Sequence, residues 1–347
     1  MIQKFLLVGD LHVQLNNLED TQIIFDTIRS LVAERNIDHV VYLGDIYHTH
    51  SVMRQEVVKI VRDNIKSTKG TNQAQPIVLV GNHDLIGPTN NSANALTLTL
   101  SGEATVIDKP YSASGFYTFM PFTPDNNEFI SKCNELGGEF LFCHQTFDGS
   151  RFENGFYAPG GVDQNKISQK LIISGHIHKA QTLGKVIYVG TPRPISSAEY
   201  NDVKGLNILS IGTDDGDIYN METIPLNGKV RTNLRIDIHE EADDIYGDLQ
   251  MISVINEVTP KHIVSYHIHG KKDFCVSKSE KINSMWKTHS ALAQLKIVMD
   301  IKPSSKSRMV LEQGTFTIDD LLKKYIYEVS GIPSDMKDKV WQKITQV

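Results

Sequence analysis

Asp10, His12, Asp45, Asn82, His144, His176 and His178 are the residues of this 347-residue chain whose types and spacing best suit chemistry. Most stand in short glycine-led runs: Gly9-Asp10-Leu11-His12, Gly44-Asp45, Gly81-Asn82-His83-Asp84 and Gly175-His176-Ile177-His178. His144 follows the apolar run Phe140–Cys143. Carboxylate, amide oxygen and imidazole together suit a divalent cation such as Mn2+, Fe2+ or Zn2+, whereas thiolates would point to structural zinc. The x+2 spacing within Asp10/His12 and within His176/His178 places both side chains on one side of an extended segment, so each pair can converge on one centre. Gly9, Gly44, Gly81 and Gly175 are expected to permit the turns that swing these side chains over a sheet edge. Each run alone has an ordinary reading: a surface loop, a mutually satisfied histidine pair, a turn. Their joint occurrence, each at the end of an apolar run, is what those readings do not supply.

The elements that must position these residues are legible as hydrophobic periodicity. Phe5–Val8, His39–Leu43 and Ile77–Val80 read as short buried strands. Between them Ile23, Ile24, Ile28, Leu31 and Val32, and then Val57, Val58, Ile60, Val61 and Ile65, recur at helical spacing. This β-α-β-α-β order implies parallel strands with helical crossovers. Further strands are expected at Phe140–Cys143, Lys170–Ser174, Val186–Val189 and Leu206–Ile211, with a turn at Thr213-Asp214-Asp215-Gly216. The start of the chain reads as the first strand of a buried sheet, because its apolar stretch runs into Gly9-Asp10 with no small-residue cleavage site. The fold expected is α/β, a two-sheet sandwich over residues 1–228, closed by the turn Pro225-Leu226-Asn227-Gly228. Residues 229–303 read as a smaller α/β domain: Leu234–Ile238, a helix around Ile245–Ile255, Ile263–Ile268, a helix around Ser284–Leu295, and Lys296–Ile301. In residues 304–347, a linker at Ser304-Ser305-Lys306-Ser307 leads to amphipathic helices at about Thr317–Val329 and Ser334–Ile344.

Composition narrows the classes. Hydrophobic residues at 40% and charged residues at 22% describe an ordinary globular chain, and no apolar run approaches the roughly 20 residues a membrane span needs. Cys133, Cys143 and Cys275 are scattered, which fits a reducing compartment and a cytoplasmic location better than a disulfide framework. A net charge of −6 argues against nucleic-acid binding by bulk electrostatics alone. Yet Lys271, Lys272, Lys278, Lys281, Lys287, Lys296, Lys302, Lys306 and Arg308 face only Asp273, Glu280 and Asp300, so this stretch carries about +6. It reads either as a solvated face or as a phosphate-contacting surface.

As a set, Asp10-Leu11-His12, Gly44-Asp45, Gly81-Asn82-His83-Asp84, His144 and Gly175-His176-Ile177-His178 resemble the five motifs of the calcineurin-like metallophosphoesterase superfamily, over about residues 1–225. The resemblance implies two divalent ions. Asp10, His12, Asp45 and His178 would hold one, and Asp45, Asn82, His144 and His176 the other, with Asp45 bridging. Two carboxylates against two such ions leave the site about +2, attractive to phosphate even in an acidic protein. A water between the ions loses a proton near neutral pH and becomes the nucleophile, while the ions clamp the attacking and leaving oxygens. The resemblance makes His83 the group that assists the departing oxygen. Asp84, next in the chain, is a candidate to orient it.

The residues after Asp45 bear on the substrate. Protein phosphatases of this superfamily follow Gly-Asp with Asp-Arg, and purple acid phosphatases place a tyrosine ligand three residues after that Asp. Here the text is Gly44-Asp45-Ile46-Tyr47-His48. Gly-Asp-x-x-His resembles the archaeal and eukaryotic branch of the SbcD-type DNA-repair nucleases, in which His48 would act near the scissile phosphate. Bacterial members more often carry Asp there. This resemblance implies a Mn2+-dependent exonuclease and endonuclease acting on DNA ends in double-strand-break repair and recombination, of a phage or bacterial kind, with Mg2+, Fe2+ or Zn2+ as compatible ions. It further implies a homodimer, a capping domain at 229–303 and C-terminal helices that grip an SMC-like ATPase of the SbcC type. The apolar stripe Phe316, Ile318, Leu321, Leu322, Tyr325, Ile326 and Val329, continued by Met336, Val340, Trp341 and Ile344, suits that grip or packing onto the chain's own body. Arg193, in Gly190-Thr191-Pro192-Arg193-Pro194, reads as a bidentate phosphate or DNA contact or as a surface arginine in a rigid turn. The competing functions are a small-molecule phosphatase or cyclic-nucleotide phosphodiesterase of the same superfamily, and a scaffold that tethers DNA ends.

Overall fold

A computed structural model of the protein describes residues 2–49, 52–87, 93–196, 198–212, 218–241, 261–287 and 294–301, with the single positions 327, 337, 338 and 341. The turn at 213–216, the helix around Ile245–Ile255, the linker at 304–307 and, single positions apart, both terminal helices lie outside these residues.

Alternation within the strands builds the first sheet into a sandwich. In β1 (Ile2–Val8), Phe5 and Leu7 face one hydrophobic core while Leu6 and Val8 face another. β2 (His39–Tyr42) repeats the pattern, with Val41 on the side of Phe5 and Val40 and Tyr42 on the side of Leu6. A strand buried on both faces in this way belongs inside a layered α/β fold. β1 pairs in parallel with β2, which pairs with β3 (Ile77–Leu79) and then β4 (Thr105–Ile107). On its other edge β1 pairs antiparallel with β11 (Gly205–Gly212), and β11 with β12 (Ile218–Pro225).

The second sheet runs in the order β5 (Tyr111–Ala113), β6 (Tyr117–Met120), β7 (Phe140–His144), β8 (Leu171–Gly175), β10 (Val186–Tyr188) and β9 (Gln181–Leu183). Phe119, Phe140, Phe142 and Ile173 point at the first sheet's Phe5, Leu7, Val41 and Leu79 to form the central core. Phe119 and Phe142 stack at 5.0 Å between centroids. Helices close the outside. α1 (Leu18–Arg35) buries Ile24, Phe25, Ile28 and Leu31, and ends where Asn36 turns left-handed at φ 52 and donates to Val32 O. α2 (Gln55–Ile65) buries Val57, Val61 and Ile65, and the short α3 (Ala95–Leu100) is capped by Asn94. Over the second sheet, α4 (Asn126–Leu136) starts at Asp125, whose carboxylate accepts from Asn127 N and Glu128 N. The α/β sandwich read from the sequence is the fold observed, although α3, α4, β4, β5, β6, β9 and β12 were not foreseen.

The described residues fall into two compact units. One holds the described residues up to Arg235 together with 261–265 and 294–296; the other holds the remaining described residues beyond Arg235. Beyond the sandwich, β13 (Thr232–His239), β14 (His262–Gly270) and β15 (Gln294–Ile301) form a third sheet in that order. The helix expected around Ser284–Leu295 lies earlier, as α5 (Lys272–Lys287), directly after the strand. Its buried positions are Cys275, Lys278, Ile282 and Trp286. A lysine whose aliphatic stem fills an apolar position hid the period. Lys278 is buried, with its ammonium 5.8 Å from the centre of the Phe274 ring. Lys271 lies 3.6 Å from Glu240, and Lys302, Lys306 and Arg308 are outside the described residues.

Candidate metal centre

Strands of both sheets deliver the candidate ligands. Asp10 and His12 follow β1, Asp45 follows β2, and Asn82 and His83 follow β3. His144 ends β7, and His176 and His178 follow β8. The backbone convergence differs from the extended segments expected from the x+2 spacing. His12 (φ 42), Asp45 (φ 51) and His176 (φ 79) all adopt left-handed backbone. For a residue with a Cβ that costs on the order of 1–3 kcal/mol and persists only where the surroundings enforce it. The glycines differ too. Gly44 takes the turn, at φ +102, but Gly81 is needed for close approach, since a Cβ there would stand 2.4 Å from Asp45 N.

What enforces the loops is a set of backbone and side-chain ties. His12 N donates to Asp45 O at 2.9 Å and Val13 N to Ile46 O at 2.8 Å, extending the β1–β2 pairing into the loops. Asp84 is buried. Its Oδ1 accepts from Ile46 N (3.1 Å) and Tyr47 N (3.2 Å), and its Oδ2 from Gly81 N (3.0 Å). Through these three donors it binds the Asp45 loop to the Asn82 loop. Arg193 is likewise no surface residue. It is 4% exposed, and its Nη2 donates to Leu11 O at 2.7 Å and His12 O at 3.0 Å. Through Nη2 the guanidinium clamps the Asp10–His12 loop.

The seven side chains meet as two groups joined by Asp45. In the first, donor atoms of Asp10, His12 and His178 lie within 4.8 Å of one another, with His12 Nε2 3.2 Å from His178 Nε2. In the second, donor atoms of Asp45, His144 and His176 do the same. Asn82 Oδ1 lies 3.0 Å from His144 Nε2 and 2.9 Å from His176 Nδ1. Asp45 spans both groups, with Oδ2 3.5 Å from His12 Nε2 and Oδ1 3.4 Å from His144 Nε2. Backbone amides fix the two carboxylates: His176 N donates to Asp10 Oδ1 at 2.9 Å, and His83 N to Asp45 Oδ1 at 2.8 Å. Carbonyls fix two rings. His144 Nδ1 sits 2.7 Å from Leu43 O, and His83 Nδ1 2.9 Å from His48 O. The His48 ring stacks on His83 at 6.0 Å and stands edge-on to His12 at 5.4 Å.

The electrostatics of the protein alone are conflicted. Burial and the Asp45 charge raise the Asp10 carboxyl. Burial would raise Asp45 as well, but His144 and His12 hold it below the usual carboxylate range. Burial would lower His144, but Asp45 and Asp10 push it up to about 9. His176 is pushed down to about 3 by burial and by His144, and His12 is lowered by burial. Imidazoles whose ring nitrogens face one another, beside buried carboxylates, are a donor set that divalent cations satisfy.

Residues 3–180 match the calcineurin-like phosphoesterase family. The chain belongs to that family. That family binds two divalent metal ions, and the two groups around Asp45 are candidate ligand clusters. The chain is also similar to exonuclease subunit 1 of Enterobacteria phage T4, at 22% identity, with 99% of this chain and 98% of that protein covered. Among the described residues no helix is long and apolar enough to cross a membrane.

Sequence reading passed over one neighbour of the site. Glu199 is 1% exposed, and its Oε1 lies 3.3 Å from His178 Nδ1. It stands in the polar stretch Ile195-Ser196-Ser197-Ala198-Glu199, which has no local signature.

Proposed function

We propose that this protein is a two-metal DNA nuclease that hydrolyses phosphodiester bonds at DNA ends. In this reading Asp10, His12, Asp45 and His178 hold one divalent ion, and Asp45, Asn82, His144 and His176 the other. The observation that carries it is the carboxylate of Asp45, with one oxygen turned to each histidine group. Two divalent ions bound there, Mn2+ being the ion we favour, would supply Lewis-acid polarisation of phosphate and activation of water.

The protein's own residues do the rest. With Nδ1 committed to the His48 carbonyl, proton transfer at His83 falls to Nε2, which gives a proton to the departing oxygen. His48, edge-on to His12 and stacked on His83, lines the position of the scissile phosphate. The carbonyl of Leu43 fixes the His144 ring so that Nε2 faces the site. A DNA substrate is supported by the full-length likeness to a protein named as an exonuclease subunit, and by His48 in place of the tyrosine or Asp-Arg of the phosphatases. The word subunit in that name also supports a partner. We assign that role to an SMC-like ATPase of the SbcC type, bound through residues 304–347 of a homodimer engaged in break repair and recombination.

The test compares turnover of duplex DNA with defined ends against small phosphodiesters and cyclic nucleotides, with Mn2+ and with EDTA. The expected result is DNA cleavage that requires the metal, and a loss of about 10^2–10^4-fold in His83→Gln with both ions still bound. A kcat/KM higher for cyclic nucleotides than for DNA would replace the nuclease reading with that of a small-molecule phosphodiesterase. Co-purification of the ATPase with a chain lacking residues 311–347 would remove the role given to the terminal helices.

A further inference from the structure

Three of the site's imidazoles have a partner outside the candidate ligand set, and His178 differs from the other two. His144 and His83 face neutral backbone carbonyls. His178 faces the carboxylate of Glu199, with Nδ1 3.3 Å from Oε1, in contact though off the ideal line of a hydrogen bond.

That carboxylate is immobilised on every side. Oε1 accepts from Ile195 N at 3.0 Å and Ser196 N at 2.9 Å. Oε2 accepts from Thr191 Oγ1 at 3.1 Å and from Lys204 Nζ at 2.6 Å. Lys204, itself buried, also donates to His178 O at 3.1 Å, and Thr191 N donates to the same oxygen at 3.1 Å. Ring and backbone of His178 are therefore anchored on one buried Glu199–Lys204 pair. Taking such a pair out of water is expensive, and replacing it by apolar groups is often neutral or stabilising. Packing alone gives this sandwich no reason to keep it.

We infer that Glu199 is a positioning residue for the first metal ion: it holds the His178 proton on Nδ1 and turns the Nε2 lone pair toward Asp10 and His12. This inference rests on the two-metal reading of the site. The geometry supplies both halves of the claim, since Nε2 of His178 already lies 3.2 Å from Nε2 of His12 while Nδ1 meets the carboxylate. A carboxylate behind a ligating imidazole also raises its basicity and strengthens its bond to the ion. Lys204 compensates the charge, so this device adds nothing to the net charge that phosphate meets. In the other group His144 Nδ1 has the Leu43 carbonyl at 2.7 Å as its nearer partner, with Asp10 Oδ1 at 3.6 Å, and no glutamate anchored as Glu199 is among its described contacts.

The test uses the full-length protein, stripped with EDTA and titrated with Mn2+ by calorimetry and electron paramagnetic resonance. Wild type binds two ions. Glu199→Gln is expected to weaken one of them about 10- to 100-fold and leave the other unchanged. Glu199→Gln combined with Lys204→Met removes the orphaned ammonium, keeps the fold by circular dichroism, and shows the same one-sided loss. Long-range 1H–15N correlation of the metal-free protein, at mildly alkaline pH, reads the ring directly. His178 carries its proton on Nδ1 in wild type and shifts toward Nε2 in both variants. Equal weakening of both ions, or an unchanged ring pattern, would overturn the inference and leave Glu199 a packing residue. So would an equal loss in Glu153→Gln, since Glu153 also lies near His178 and would supply charge without the anchored geometry. A wild-type protein that binds two ions with this asymmetry but leaves DNA intact would sink the nuclease reading and leave this inference standing.

Discussion

Asp84 offers the sharpest contrast between a catalytic and an architectural role. Its carboxylate takes three backbone N–H donors, from Ile46, Tyr47 and Gly81, all within 3.2 Å. A buried donor left without a partner costs about 1–3 kcal/mol. Asp84→Ala strands all three, for a loss of roughly 3–9 kcal/mol. Asp84→Asn keeps one acceptor oxygen for Ile46 and Tyr47 and turns an N–H toward Gly81, for a loss of roughly 1–3 kcal/mol. Against a typical stability of about 5–15 kcal/mol, the alanine variant is badly compromised and the asparagine variant survives. The damage falls where Asp45 and Asn82 are held, so Mn2+ affinity drops in the same order as stability. Urea unfolding in EDTA measures the first quantity, and calorimetric titration the second. If Asp84→Ala unfolds at the wild-type midpoint yet no longer cleaves DNA, the three N–H bonds are incidental and Asp84 works through His83.

Other outcomes follow from the same coordinates. Gly81→Ala would place a Cβ 2.2 Å from Asp45 Oδ1, so it should abolish binding of both ions by calorimetry rather than weaken one. Phe142→Ala, at the centre of the stacked aromatic core, should cost about 3–5 kcal/mol in urea unfolding without altering the metal-binding stoichiometry. In the third sheet His269 lies between Asp237 (3.0 Å) and Asp300 (3.1 Å), and Asp237 leads in raising its pKa. A raised folded value means that its stabilisation is complete below the free-histidine range near 6.5 and is lost as pH climbs through the folded value. Because the pair is largely exposed, the effect is under about 1 kcal/mol. An NMR titration should find the pKa of His269 falling toward the free value in Asp237→Asn, and an unchanged pKa would refute the link.

Much of this architecture was readable in the residues. Strands buried on both faces, such as Phe5–Val8 and Phe140–Cys143, show as unbroken apolar runs, and polar groups at their ends stand out against them. The left-handed backbone at His12, Asp45 and His176 was not readable, because nothing in a side chain's identity announces strain that distant groups enforce. Arg193 and Glu199 were misread or missed for a related reason. A charged residue in a polar loop is by default exposed, and only the fold reveals that Leu11, His12, Thr191 and Lys204 surround them with partners. The helix at Lys272–Lys287 was displaced in the sequence reading because Lys278 occupies an inward position that pattern reading assigns to solvent.

The seven side chains come from both halves of the sandwich: Asp10, His12, Asp45 and Asn82 from one sheet, His144, His176 and His178 from the other. A pair of ions gripped by all seven would act as a rivet through two plates. Loading would then stiffen the whole body, by about 4 kcal/mol for one ion present at a thousand times its dissociation constant. The traffic runs both ways. A core substitution that lets the plates slip should loosen the ions without touching a single ligand, and a chelator should soften the aromatic layer between the plates.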